Sequence, residues 1–404
     1  MYDAIVVGAR CAGSPTAMLL ARRGYRMLLV DRDTFPSDIL STHYIHQPGV
    51  AKLQEWGVLE GVLATNAPPI KTLHIESGGI RLKGMPIYQG IDFALCPRRT
   101  ALDTVLVDAA VAAGAELRDG FVVEDVVWDQ DTVVGIRGHG KGRASVEERA
   151  RVVIGADGMH SVIAPKVQPQ EYNTRPPLGC GYYAYFSGVP MDGAEVHFLE
   201  ENVNFGFPTN DGQTCVAVEW PNSQFAAIRQ DYEGAFVRAL QGTPDFAARV
   251  AQGRRETRFT GVGNIPNFFR TPYGSGWALV GDAGYHKDPV TGLGITDAFL
   301  DAELLAGALH DGWSGHRPLS EALAGYERRR NERAFPLYEL TIQGASFQPP
   351  PAEQLMLLRA LQGNQEDTDR YLGLISGITP VQEFMAPENL GRIITRAGRQ
   401  GASG

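Results

Sequence analysis

Apolar and polar positions along the chain change period several times, and each change predicts an element. Residues 2–8 form a short apolar run, residues 12–24 are helical in composition, and residues 27–31 are a second apolar run ending in an acid. Strand, helix and strand within about thirty residues make a βαβ unit of nucleotide-binding size. A further helix is predicted over 100–113, where Leu102, Val105, Leu106 and Ala109 share one face at helical spacing. From 116 to 154 the period shortens. β-Branched pieces at 122–127 and 133–136 alternate with glycine and charged turns, the pattern of an antiparallel meander that returns to a strand.

A second sheet is predicted from strands at 182–186, 195–199, 203–207 and 214–220, separated by Pro, Asp and Gly turns. After 277–281 the character turns helical, at 294–310, at 319–344, and in a tail over 351–396 broken by Gly363, Gly377 and Pro380. No repeat or low-complexity tether separates these regions, so the domains are expected to interleave.

Composition narrows the function. The 404 residues are 44% hydrophobic and 21% charged, which is ordinary globular usage and excludes a disordered chain. The net charge of -9 removes the basic footprint expected for a nucleic-acid partner or an anionic lipid surface. Cys11, Cys96, Cys180 and Cys215 lack metal-ligand or disulfide spacing, which fits a reducing cytoplasm and predicts no metal site. Neither a signal peptide nor a membrane-spanning run is read, so integral membrane association is not expected. GxSxG, HExxH and P-loop patterns are absent as well.

Three short motifs carry the chemistry. Gly8-Ala9-Arg10-Cys11-Ala12-Gly13 closes the first strand and opens the first helix, where free amides and the helix dipole suit a pyrophosphate. Asp31 ends the second strand, where an acid accepts hydrogen bonds from an adenosine ribose. Asp157-Gly158 follows the apolar strand 152–154. Gly281-Asp282 follows 278–280 and leads into Pro289-Val290-Thr291-Gly292-Leu293-Gly294.

In that order, the motifs resemble those of the para-hydroxybenzoate hydroxylase-like FAD monooxygenases, whose fold is shared by geranylgeranyl reductases and flavin-dependent halogenases. The resemblance spans residues 1 to about 338 and implies an α/β fold, with a Rossmann-like FAD-binding domain interleaved with a mixed or antiparallel substrate sheet, plus C-terminal helices. The implied boundaries are 1–70, 96–170 and 263–345 for the FAD domain, 71–95 and 171–262 for the substrate domain, and 346–404 for the helical tail.

Carried onto this sequence, the resemblance implies non-covalent FAD held by Gly8, Ala9, Gly13, Asp31, Gly281 and Asp282, with Arg98 at the pyrophosphate or ribityl chain. It puts the amides of Gly292, Leu293 and Gly294 at the pyrimidine edge, and backbone near Val122 at adenine. Arg10 stands where a second glycine is usual and is expected to fork onto a phosphate. The Asp157-Gly158 turn would touch both the flavin and a transiently docked NADPH or NADH, with Arg32 or Arg99 as phosphate contacts of the nicotinamide cofactor.

The reaction implied is insertion of one oxygen atom from O2 into a small aromatic or heteroaromatic substrate through a flavin C4a-hydroperoxide. The substrate would lie among Tyr183, Tyr185, His197, Asn204, Phe205 and Phe207, with His197 and Tyr185 as candidate catalytic groups. His43, His46 and His286 lie in loops within reach of the ring. A prenyl reductase is the main alternative. A halogenase is weaker, because residues 202–208 read Asn-Val-Asn-Phe-Gly-Phe-Pro without the tryptophan signature of that branch. A flavoprotein without turnover, and a homodimer, are also compatible with the sequence.

Overall fold

The computed structural model describes residues 1–401; residues 402–404, the end of the predicted tail, lie outside the described residues. Strand Tyr2–Val7, helix Gly13–Ala21 and strand Met27–Val30 form the βαβ unit, with the two strands parallel. Val6 and Leu29 are fully buried, because helices and the meander cover both faces; such strands read as unbroken apolar runs.

On the other side of the first strand lie Val146–Gly155 and then Trp277–Leu279, both parallel to it. Four parallel strands thus end at one edge, and each of the glycine and aspartate motifs follows one of these ends. In open α/β sheets that edge is where ligands bind. The predicted meander is present as Phe121–Asp129 and Thr132–Gly140, which pair with each other and then with Val146–Gly155.

The second sheet runs in the order Arg254–Arg255, Gly179–Ser187, Gln213–Pro221, Val203–Pro208, Ala194–Phe198, Leu73–Ser77 and Ile80–Gly84. Its last two strands come from far upstream, and Leu73–Ser77 joins Ala194–Phe198 in parallel. Helices Tyr232–Leu240 and Pro244–Gln252, which the sequence pattern did not single out, cover the outer face through Phe236, Leu240, Phe246 and Val250.

The inner face packs toward the nucleotide domain. A small sheet of Glu171–Arg175, Asn267–Arg270 and Tyr285–His286 lies where the chain passes between the two. Helices Gly294–Trp313 and Leu319–Gly344 form at the expected places. Helices Ala352–Leu361 and Gln365–Ile375 close the edge of the second sheet over Ile80 and Leu82. No helix among the described residues is long and apolar enough to cross a membrane.

Candidate active site

Glycine geometry locks the three motifs together. Gly8 has φ +102°, and a Cβ there would stand 2.4 Å from the carbonyl oxygen of Ala156. A Cβ at Gly13 would lie 1.8 Å from the Gly8 carbonyl oxygen. Gly281, at φ +62°, approaches Ala12 so closely that a Cβ would sit 2.8 Å from the alanine methyl. Only glycine permits these approaches, so the first motif is wedged between the second and third.

The acids that follow the strands are placed by backbone amides. Asp31 accepts from the N–H of Ala9 at 2.7 Å and from that of Asp33 at 2.9 Å, and its burial raises its pKa. Asp157 accepts from Val162 and Ile163 at 2.6 and 3.2 Å, beside Gly158 at φ +80°. Its other oxygen, Oδ1, is buried without a partner, and burial again raises the pKa. Asp282 is half-buried within the field of Arg99.

The next helix begins at Gly294. The amides of Leu293, Gly294 and Ile295 donate to no backbone carbonyl among the described residues, and a Cβ on Gly294 would meet nothing within 4 Å. Unpaired amides around an exposed glycine, a helix dipole behind them and a glycine cradle at the first strand fit the anionic and pyrimidine parts of FAD. Gly292 supplies the left-handed turn at φ +64°, against Tyr44 and His46.

The arginines differ from expectation. Arg10 is not free to fork onto a phosphate: one terminal nitrogen meets Asp103 at 2.7 Å, the other Asp33 at 2.9 Å and the Ser37 hydroxyl at 2.6 Å. Arg99 lies beneath it, bound to Asp103 at 2.9 Å. Asp103 is fully buried and bridges the two guanidinium groups, with Asp33 as the second counter-charge of Arg10. Arg98, expected at the pyrophosphate or ribityl chain, turns the other way, and its guanidinium carbon lies 4.4 Å from the ring centre of Tyr185. Arg32 is exposed, and the Val122 side chain is 42% exposed on its hairpin.

Between the nucleotide edge and the inner face of the second sheet lies a seam of rings. Tyr183, Tyr185, Phe205 and Phe207 face Tyr44, Val290 and Phe347 in one buried cluster. Tyr44 packs 5.3 Å from Phe207, and His46 binds the Thr291 carbonyl at 2.9 Å, so this loop braces the glycine turn. His43, held at φ 64° and fully buried, places Nε2 2.6 Å from the hydroxyl of Tyr185. Its Nδ1 has no partner, nor does the Nε of Arg98. Burial and then the charges of Arg99 and Arg98 push the His43 pKa down to about 3, so the ring is neutral. Burial holds the Tyr185 hydroxyl protonated, well above the ordinary tyrosine range.

His197 and Asn204 require correction, because the structure puts them on the other face of the sheet. They are paired across neighbouring strands, as are Val196 and Phe205, so Phe205 faces the seam while Asn204 cannot. His197 lies between Glu195 at 3.2 Å and Glu76 at 3.3 Å and stacks on Phe246 of the covering helix. Asn204 donates to the Ala239 carbonyl and the Thr243 hydroxyl at 3.1 Å each. Neither reaches the seam. His286 is likewise occupied, at the Pro266 carbonyl. Sequence reasoning did not anticipate Tyr44 or Asp103; the four-residue spacing of Arg99 and Asp103 on a helix was the available signal for the latter.

Comparison with known proteins agrees with this geometry. A family model described as FAD binding domain matches residues 1–212. The chain is 29% identical over 314 residues to digeranylgeranylglycerophospholipid reductase 2 of Methanopyrus kandleri, covering 73% of each protein. It is 26% identical over 372 residues to kynurenine 3-monooxygenase of Salinispora tropica, covering 83% of this chain and 78% of that one. In fold it is similar to the flavin-dependent brominase Bmp2, with a TM-score of 0.83 at 18% identity and coverage of 99% of both chains. Glycine cradle, free helix amides and matched sequence together make the chain a flavoprotein oxidoreductase that belongs to the FAD binding domain family.

Proposed function

We propose that the protein is an NAD(P)H-dependent monooxygenase that inserts one oxygen atom from O2 into a small aromatic or heteroaromatic substrate. The observation that carries this reading is the seam: four aromatic rings of one sheet face lie against the loop expected to bind the flavin pyrimidine. Stacking on such faces suits a flat substrate, and the apolar lining excludes water from the reacting atoms. Bound FAD would supply two-electron transfer and reductive activation of O2.

The chain's own groups would do the rest. Asp31 and the amides of the first loop would hold the adenosine and pyrophosphate ends, while Asp282 and the amides of residues 292–294 would hold the ribityl and pyrimidine ends. Arg99 is better placed than Arg98 for the nucleotide side, since it lies with Arg10 and Asp103 beneath the glycine loop. Arg98, Tyr185 and neutral His43 would orient a polar substituent of the substrate, with His43 fixing the direction of the tyrosine O–H. A reduced pyridine nucleotide would dock across Asp157 and Gly158, with exposed Arg32 available for its phosphates.

Kynurenine 3-monooxygenase of Salinispora tropica is among the similar proteins and supports the reading by name. Reduction of prenyl double bonds is the second reading, favoured by the 29% identity to the archaeal reductase. A screen of small aromatic compounds and prenyl lipids for stimulation of NAD(P)H oxidation tests the choice. Aromatic compounds that accelerate it in step with O2 uptake support oxygenation. Acceleration by prenyl lipids alone, unchanged without O2, supports reduction instead.

A further inference from the structure

Where the substrate sheet meets the flavin-facing loop, two carboxyl groups are buried against each other. Glu219 lies on strand Gln213–Pro221 and is 4% exposed; Asp288 immediately precedes the turn Pro289–Thr291 and is 1% exposed. Their carboxyl groups approach one another at Gly179. Oε1 of Glu219 and Oδ2 of Asp288 are each buried without a hydrogen-bond partner, and both converge on Gly179, where a Cβ would stand 2.1 Å from the first and 2.7 Å from the second.

No arginine or lysine pairs with either group among the described residues. Lys287, the nearest basic residue in sequence, turns instead to Asp297. The remaining titratable neighbours are His286, whose Nδ1 is bound to the Pro266 carbonyl, and the thiol of Cys180, which burial pushes up to about 12. Two ionised carboxylates in contact, desolvated and without a cation, repel strongly, whereas one proton between them turns repulsion into a short charge-assisted hydrogen bond.

Asp288 also fixes the loop that follows. Its Oδ1 accepts from the N–H of Val290 at 3.1 Å, and its own N–H donates to Asn267 at 2.7 Å. We propose that Glu219 and Asp288 hold one proton in common, and that this shared proton clamps the substrate sheet to residues 289–294, making Glu219 a positioning residue for the flavin loop. Loss of the proton would put two negative charges behind the loop, push Asp288 away from Glu219 and loosen the amides at 292–294.

The inference rests on FAD binding at that loop, and its test separates the two. FAD affinity of the purified holoprotein is measured from about pH 6 to pH 10 for wild type and Glu219→Gln. Glutamine keeps the shape and donates permanently to Asp288, as the protonated acid does. The wild type is expected to lose about tenfold or more in affinity over one proton's titration at the alkaline end, while E219Q stays flat. Identical curves would overturn the proposal.

Infrared spectra of the same samples give the second measurement. The expected result is a protonated-carboxyl stretch in wild type at neutral pH that disappears in both E219Q and Asp288→Asn. If no such band is present, no proton is shared and the clamp is refuted, whatever the affinity does. The band does not depend on flavin, so a wild type that bound no FAD would count against the flavin assignment while leaving the band as the test of the pair.

Discussion

Arg98 and Arg99 are adjacent in sequence and serve opposite sides of one seam. Arg99 lies 2.9 Å from the carboxylate of Asp103 beneath the glycine loop, whereas the guanidinium of Arg98 covers the ring of Tyr185 at 4.4 Å. The helix that starts at Arg99 separates them. Arg98 still has extended backbone and reaches the substrate sheet, while Arg99 is already on the helix face turned toward the first motif.

Asp103→Ala is expected to be strongly destabilising, because it leaves Arg10 and Arg99 without their shared buried counter-charge. Breaking a buried ion pair from one side costs about 3–5 kcal/mol. Chemical denaturation should show a loss of that order, and Asp103→Asn, which keeps an acceptor, should lose less. Equal stability of wild type and D103A would show that the cluster contributes nothing.

Gly13→Ala should abolish flavin binding even if the protein folds, since its methyl group would collide with the Gly8 carbonyl oxygen and displace the loop. The check is the flavin absorbance of the purified variant per mole of protein. Gly294→Ala is the contrasting case: its methyl group would meet open space in the protein and is expected to weaken FAD binding without harming the fold.

Removal of the Arg98 side chain should act on substrate rather than on flavin. A charge-assisted hydrogen bond contributes roughly 1.5–3 kcal/mol, so Arg98→Ala is expected to raise KM about tenfold or more for an anionic substrate, with flavin content unchanged. Loss of FAD with no change in KM would return Arg98 to the nucleotide site.

His43 makes a prediction about acid. Its pKa in the folded protein lies at about 3 against 6.5 in the free side chain, so the unfolded chain binds the extra proton between those values. Stability from this group is complete above about pH 6.5 and falls as pH drops toward 3. His46, lowered to about 4, acts in the same direction, while the raised acids Asp31 and Asp157 cost stability as pH rises. The measurement is therefore the difference between wild type and His43→Gln, whose thermal midpoints should converge as pH is lowered from 7 to 5. A difference independent of pH would mean that folding leaves the His43 pKa unchanged and that the ring is not held neutral.

The parts of the site written in local sequence were legible. Gly8, Gly13, Asp31, Asp157 and Asp282 each follow a strand end, and a parallel sheet brings strand ends to one edge, so order along the chain implied proximity. Alternation also paired Tyr183 with Tyr185 and Phe205 with Phe207. The same rule separates Asn204 from Phe205, since neighbours on a strand face opposite ways. His197 follows Asn204 through their cross-strand pairing.

What local pattern does not contain is the direction of a side chain at an element boundary. Arg98 and Arg99 are alike in composition and differ only in which has entered the helix. Nor does it contain pairs closed across long separations, such as His43 with Tyr185 or Glu219 with Asp288. The helices Tyr232–Leu240 and Pro244–Gln252, by contrast, carry a local signal: Phe236, Ala239 and Leu240, and then Phe246 and Val250, recur at helical spacing.

The most direct measurement of the proposed function is the fate of labelled oxygen. The holoprotein is supplied with NADPH or NADH, a substrate that stimulates its oxidation, and 18O2. Oxygenation predicts one labelled atom in each product molecule, NAD(P)H consumed in equal amount, and no product when O2 is excluded. An unlabelled product would contradict it, and an unlabelled product together with saturation of a double bond without O2 would establish the reductase reading.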